Sequence, residues 1–292
     1  VKFTVVYEDN HVLVVNKPAG LATMGTAVNE PSLAREVQAF LKQKYGKPGK
    51  VYLGIVSRLD TVTSGLIVFA KTSKAAGRLT TQFQKRFVQK WYLAAVPSLS
   101  LPPALVIPDV PPLSWQQTWH HCWADRLWKD DAAHRMRLRK PGPSGSRSAS
   151  ESGASAGEAS GLAGEAAALH WRYLAIGSHF DLVLVQLLTG RKHQIRVQFA
   201  DRGYPILGDR KYGSPVAFPQ GIALHAWRLA FQHPVSQETL TFCETVPAAW
   251  KILDPVQPWA DVPTGNSQSL PVMPIEWIAR LTHQLGRAAE SR

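Results

Sequence analysis

The sequence predicts an α+β fold, built on a central mainly antiparallel or mixed sheet with helices and loops on its flanks. Three observations lead there. Apolar runs of strand length outnumber helical patterns, and they do not alternate with helices as a β-α-β chain would. Hydrophobic residues make up 45% of the 292, enough to bury a substantial core.

The elements follow in order along the chain. Residues 2 to 7 and 11 to 15 are β-rich runs around Glu8-Asp9-Asn10 and predict a hairpin, closed by the turn Lys17-Pro18-Ala19-Gly20. Ser32 is placed to cap a helix on which Leu33, Val37, Phe40 and Leu41 share one face, and the breaker region from Gly46 to Gly49 ends it. Val51 to Ile55 and Leu66 to Ala70 predict strands with a polar segment between them that runs through Ser64-Gly65. A helix from Ser73 aligns Ala76, Leu79 and Phe83. Further strands are predicted over Phe87 to Val96, Trp171 to Ile176, Asp181 to Leu188, Ile222 to Phe231 and Glu238 to Phe242.

These runs predict one domain over residues 1–254. Within it, 141–168 is almost all Gly, Ser, Ala, Pro and Glu, too poor in apolar surface to order itself, and a flexible insertion is expected. Residues 255–292 read as a Pro-rich linker followed by a short amphipathic helix carrying Ile275, Trp277, Ile278 and Leu281.

Thirty-three Lys and Arg against 21 Asp and Glu give a formal charge of +12, concentrated in Lys85/Arg86/Lys90, Arg135 to Lys140 and Arg191 to Lys211. A polyanionic partner fits that excess. Cys122 and Cys243 lie far apart and outside any C-x-x-C spacing, so neither a disulfide framework nor structural zinc is indicated, and a reducing cytoplasm fits. His120-His121-Cys122, with His134 beyond, matches no familiar zinc spacing, and no metal is expected. The charged opening segment is unlike a signal peptide, and no run approaches the roughly 20 apolar residues that span a bilayer. The chain opens at Val1 without a methionine, which leaves room for residues ahead of it.

The segment Ser57-Arg58-Leu59-Asp60-Thr61-Val62-Thr63-Ser64-Gly65-Leu66 carries the chemistry. Polar residues pinned between core strands are candidates for a site, since rigid elements position loop chemistry. Strand alternation would put Arg58 and Asp60 on the same side. Taken alone, an R-x-D pair reads equally as a surface ion pair.

The segment resembles the H-R-L-D-x-x-T-S-G-L motif of RluA-like RNA pseudouridine synthases, in which the aspartate is catalytic. Other pieces match in the family's order: Asn16-Lys17-Pro18-Ala19-Gly20-Leu21, Lys90-Trp91-Tyr92, Gly190-Arg191-Lys192-His193-Gln194-Ile195-Arg196, the stretch Gly203 to Asp209, and Leu224-His225-Ala226. The resemblance implies a pseudouridine synthase fold and an isomerase that needs no cofactor. Its partner would be RNA, ribosomal or transfer, with no DNA or membrane, and the chain is expected to act as a monomer. Ser57 departs from the pattern where histidine is usual, which keeps a hydrogen bond but loses a titratable ring and bears on rate or substrate preference.

By the same resemblance, Asp60 is the catalytic carboxylate and Arg196 its counter-charge, for which a planar, permanently charged guanidinium suits bidentate binding. Tyr92 offers a face for the uracil and a hydroxyl that could relay the C5 proton. Arg58 is assigned to the space left by the extruded nucleotide, because a stacked uridine hides its C1′ and C6. Lys17, Arg191, Lys192, Arg210 and Lys211 are candidate phosphate contacts, and Thr63, Ser64, Gly65, His193, Ile195 and Leu224 the remaining substrate-site positions. Trp115, Trp119, Trp123 and Trp128 read as packing residues or, beside Arg126, Lys129, Arg135 and Arg137, as a stacking platform.

The isomerisation breaks the N1 glycosidic bond, turns the base and joins C5 to the sugar. A carboxylate can serve it at C1′, at C2′ or at C6 of the uracil, and the residues leave all three open. A retaining glycosidase uses two carboxylates where one is evident here. A silent RNA-binding relative would not need Asp60, Tyr92 and Arg196 together, and a nucleoside or glycoside hydrolase would release free base.

Overall fold

The computed structural model describes residues 2–25, 27, 30–98, 121–139, 164–176, 179–253 and 265–266. Its strands are β1 (Thr4–Glu8), β2 (Val12–Lys17), β3 (Gly54–Ile55), β4 (Ser64–Ala70), β5 (Gln89–Pro97), β6 (His121–Asp130), β7 (Arg135–Leu138), β8 (Glu165–Ile176), β9 (Phe180–Leu187), β10 (Leu224–Gln232), β11 (Thr239–Cys243) and β12 (Gly265–Asn266). The α-helices are α1 (Leu33–Lys44), α2 (Ser73–Gln84) and α3 (Gln194–Asp201). The result is the expected α+β architecture, a mixed central sheet with few helices. Its path runs β1-β2-β4-β10-β5-β9-β8-β6-β7, with β11 beside β10, β12 beside β11 and β3 beside β4.

Among the described strands every pairing is antiparallel except one: β4 and β10 run parallel, Ser64 opposite His225 and Gly65 opposite Ala226. Here the β1-β2-β4 side of the sheet joins the side that begins with β10 and β5. Gly65 makes the join possible. Its φ is +115°, and a Cβ at that position would lie 2.4 Å from the Ala226 carbonyl oxygen, so only glycine lets the two backbones approach this closely.

The strands β2 and β4 read as continuous apolar runs because both their faces are covered. Val12, Val14, Leu66 and Val68 pack with Ala75 and Leu79 of α2 on one side. Leu13, Val15, Ile67 and Phe69 pack with Leu33, Val37 and Leu41 of α1 on the other. Thr72 caps α2 by accepting from the Ala75 N–H at 3.2 Å, whereas Ser32 occupies the cap position of α1 without a side-chain bond. A third cluster spans β5, β8, β9 and β10 with Ile195 and Phe199 of α3, and is closed by Trp250.

The structure departs from the sequence-based expectations in several places: α3 is a helix that no apolar pattern announced, and of the strand expected over Val51 to Ile55 only Gly54–Ile55 forms. The hairpin β6–β7 was not foreseen, because polar and aromatic residues along His121–Asp130 break a clean period of two. Of the insertion expected over 141–168, residues 141–163 lie outside the described residues, and Glu165–Ala168 open β8, paired with Leu127 to Ala124 of β6. The residues around Arg58 and Asp60 form no strand, so alternation does not govern them. Trp115, Trp119, His120 and, apart from the short strand β12, the proposed linker and helix after 254 also lie outside the described residues.

Candidate active site

Asp60 lies on an irregular loop leading into β4, next to the parallel seam. Four consecutive carbonyls fix that loop. Leu59 O accepts from Thr23 Oγ1 at 2.8 Å, and Asp60 O from Thr63 N at 3.1 Å. Thr61 O accepts from Gly20 N at 2.7 Å and Val62 O from Ile222 N at 3.1 Å. A backbone so fully paired holds its side chains in place without regular secondary structure. Gly221 allows the closest approach: at φ +69°, a Cβ there would stand 2.3 Å from Val62 O.

Lys17 completes the clamp, and its position corrects the expectation of a phosphate contact. It is fully buried, with Nζ donating to Pro18 O and Leu21 O at 2.8 Å each and to Thr61 O at 3.3 Å. Burial pushes its ammonium down to about 7, against the opposing pull of the Asp60 charge.

Across the loop stands α3. Gln194 pins its first turn: Oε1 accepts from Thr189 Oγ1 at 2.7 Å and from Arg191 N at 3.0 Å, and Nε2 donates to Ala168 O. From this helix the buried Arg196 reaches two carboxylates. Nη1 donates to Asp60 Oδ2 at 3.0 Å, while Nε and Nη2 donate to Asp209 Oδ2 and Oδ1 at 2.7 and 2.8 Å. The bidentate partner of Arg196 is therefore Asp209, whose side chain is 1% exposed against 25% for Asp60. The two carboxylates hold the guanidinium, and Asp60 keeps Oδ1 free of it. Together they keep Arg196 protonated against the cost of burial.

His193 precedes α3 in a left-handed conformation, φ 54°, which turns its ring towards the loop. Nε2 lies 3.8 Å from Asp60 Oδ1, and Nδ1 is 2.8 Å from the Tyr212 hydroxyl. Burial pushes the imidazole down to about 4, partly offset by Asp60 and reinforced by Arg196, Lys211 and Lys192. Tyr212 lies with its ring centroid 5.1 Å from the Arg196 guanidinium and accepts from the Met136 N–H at 3.1 Å. Tyr92 projects from β5, buried, and its phenol is pushed well above the usual range by burial and then by the Asp60 charge.

The structure thus gathers Asp60, Arg196, His193 and Tyr92 around one point. It puts other candidates elsewhere. Arg58 is exposed beside the site, as are Lys192, Arg210 and Lys211. Arg191 turns back to β8, bonding Ala166 O and Glu165 Oε1. Thr63 is buried and closes the loop turn. Ser64 hydrogen-bonds His225 Nδ1 at 2.8 Å inside the sheet, and Gly65 faces Ala226, so neither offers a surface to a ligand. Ile195 and Leu224 are core residues at 4% exposure. Of the aromatic-basic platform, Trp123 packs edge-on to Phe199 and takes Arg202 over its ring, while Trp128 is exposed.

Gln194 and Asp209 fall within the matched motifs but carry no assigned role in the sequence, and Tyr212 and Thr23 are not singled out there. Asp209 had a visible signal, an acid two residues beyond apolar Leu207 and followed by the basic pair Arg210-Lys211. Tyr212 and Thr23 carry no local pattern that separates them from surface residues. Among the described residues no helix is long and apolar enough to cross a membrane.

Residues 11–201, more than half of the chain, match the family model for RNA pseudouridylate synthase. The chain is 30% identical to the dual-specificity RNA pseudouridine synthase RluA of Haemophilus influenzae over 246 residues, covering 82% of this chain and 90% of that protein. It is 31% identical to the ribosomal large subunit pseudouridine synthase D of Zymomonas mobilis over 266 residues, covering 85% of this chain and 71% of the relative. It is 29% identical to the tRNA pseudouridine synthase C of Pasteurella multocida, at 87% and 96% coverage. Among solved structures, human RNA pseudouridylate synthase domain containing 4 superposes with a TM-score of 0.60 at 20% identity, covering 86% of this chain and 92% of that one. Human RNA pseudouridylate synthase domain containing 1 gives 0.56 at 23%, with coverage of 95% and 94%. These two likenesses concern the fold.

Proposed function

This chain belongs to the RNA pseudouridylate synthases, in their RluA-like branch, and from that premise we propose that it isomerises a specific uridine of a structured ribosomal or transfer RNA with Asp60 as the reacting carboxylate. One observation carries the reading: a partly exposed loop carboxylate shares a guanidinium with a buried one. Asp209 and Arg196 form the fixed part, and Asp60 is the member open to a substrate.

The reaction breaks N1–C1′ and forms C5–C1′, and the proton on C5 leaves as N1 gains one, so every atom of the uridine is kept. Asp60 Oδ1 is the oxygen available for bonding, whether at C1′, as base at C2′, or at C6. The Arg196 Nη1 holds Asp60 Oδ2 at 3.0 Å by a charge-assisted hydrogen bond and so fixes the direction in which Oδ1 points. Tyr92 enters the reaction as a neutral phenol, since burial and the Asp60 charge both oppose its ionisation. It gives the extruded uracil a ring face, and as a neutral hydroxyl it can relay the late C5 proton, accepting it on its oxygen as its own proton passes on.

Extrusion of the nucleotide costs a few kcal/mol, least in loops. Exposed Arg58 is the side chain assigned to the vacated space, and exposed Lys192, Arg210 and Lys211 form a basic rim for the phosphates.

The test is pseudouridine mapping on total RNA with and without the gene, followed by in vitro turnover of the identified RNA. Asp60→Asn and Asp60→Ala should abolish product while leaving RNA affinity within about threefold, because binding rests on the rim rather than the carboxylate. Product formed at the normal rate by Asp60→Ala would overturn the assignment.

A further inference from the structure

Three groups around Tyr212 form a connected series. The backbone N–H of Met136, in β7, donates to the Tyr212 hydroxyl at 3.1 Å. That hydroxyl lies 2.8 Å from His193 Nδ1. On the far side of the imidazole, Nε2 is 3.8 Å from Asp60 Oδ1. We propose that Tyr212 is a positioning residue for the isomerisation: its hydroxyl donates to His193 Nδ1, which fixes the Nε2–H tautomer and aims that N–H at the Asp60 oxygen left free by Arg196. This rests on the reading of Asp60 as the reacting carboxylate.

Both ends of the ring demand the same tautomer. A tyrosine oxygen carries one proton, and Met136 already occupies one of its lone pairs, so the O–H turns to Nδ1 as acceptor. At the other end, the opposite tautomer would set a nitrogen lone pair against a carboxylate oxygen. Nε2–H replaces that repulsion with an attraction. Because the ring is neutral at working pH, the donor steers Asp60 Oδ1 without adding a second full cation that would lower the reactivity of the carboxylate.

The geometry around the series is over-determined. His193 holds a left-handed backbone angle, φ 54°, a conformation that costs energy in a non-glycine residue and persists only when its surroundings impose it. Lys192 and Lys211 act electrostatically on the same imidazole, and the Arg196 guanidinium lies 5.1 Å from the centroid of the Tyr212 ring. Through Met136, the hairpin β6–β7 is tied to the site although none of its side chains reaches Asp60 by a hydrogen bond among the described residues.

Nitrogen NMR of the full chain labelled at histidine reports the tautomer directly. His193 should show a protonated Nε2 and a bare Nδ1, and a protonated Nδ1 would overturn the proposal. Tyr212→Phe should lower kcat about tenfold with KM for the RNA unchanged; a change confined to KM would mean that Tyr212 serves RNA binding instead. The decisive comparison uses His193→Gln, whose amide keeps an N–H near the Nε2 position but has no tautomer to fix. In that background Tyr212→Phe should change kcat by less than about twofold. An undiminished loss would show that Tyr212 does not act through His193 and would refute the inference. The spectrum needs no turnover, so it stays decisive if Tyr212→Phe folds poorly. It is also independent of Asp60→Ala, whose activity tests the assignment of Asp60 alone.

Discussion

Replacing Asp209 by asparagine separates the anchor of the site from its proposed reacting group. Asp209 and Arg196 are 1% and 5% exposed, and their two hydrogen bonds measure 2.7 and 2.8 Å. Two unit charges about 4 Å apart attract by about 4 kcal/mol at an effective dielectric constant of about 20. Asparagine keeps one acceptor but turns an N–H towards the guanidinium, leaving one buried Arg196 donor without a partner. Recovery of the Asp209 desolvation cost offsets part of the loss, and breaking a buried pair from one side leaves a net cost of about 3 kcal/mol. For a domain of this size, that lowers Tm by about 6–12 °C. The guanidinium, held by Asp60 and a single neutral amide oxygen, also loses its fixed position, and a displacement of about 1 Å at a reacting group costs about a hundredfold in kcat. Asp60→Asn should by contrast leave Tm within about 2 °C, since its carboxylate is partly solvated and makes one such bond. Thermal unfolding and single-turnover kinetics on one RNA substrate measure both. An Asp209→Asn protein that melts within about 2 °C of the parent and turns over within about threefold would refute the anchoring argument.

Lys17 gives a pH signature. Between about 7 and the ordinary lysine value of 10.5, the unfolded chain holds a proton that the folded chain has released. Stability from this group therefore rises with pH across that window, and its full penalty is present below about 7. Lys17→Met should remove that slope from a Tm against pH plot, while lowering Tm throughout because the Pro18, Leu21 and Thr61 carbonyls lose their donor; parallel curves would contradict this. Gly65→Ala should cost about 3 kcal/mol or more, since it combines φ +115° with a Cβ 2.4 Å from Ala226 O. An unchanged denaturant midpoint would mean that the parallel seam can open to admit a methyl group.

The sequence by itself determined the elements whose apolar residues repeat: β2 and β4 as continuous runs, α1 and α2 as one-faced helices, and the strands β5, β9, β10 and β11 near their observed bounds. It also singled out Asp60, Tyr92 and Arg196 as candidates, through ordered motifs read one segment at a time, and the fold brings Asp60 and Arg196 within 3.0 Å. Tertiary structure decided the partners. Asp60 and Arg196 are 136 positions apart, and nothing local says that the guanidinium is shared with Asp209. A lysine in a Lys-Pro-Ala-Gly turn looks like a surface cation, yet Lys17 is fully buried because three carbonyls from two chain segments converge on it. Ser64 and Gly65 look like an exposed polar turn, yet they open a strand, because β10 arrives in parallel beside them. The hairpin β6–β7 escapes the hydrophobic pattern because polar and aromatic residues interrupt its alternation, and its ties to α3 and Tyr212, through Asp125 to Gln198 and Arg202 and through the Met136 N–H, form only in the folded chain.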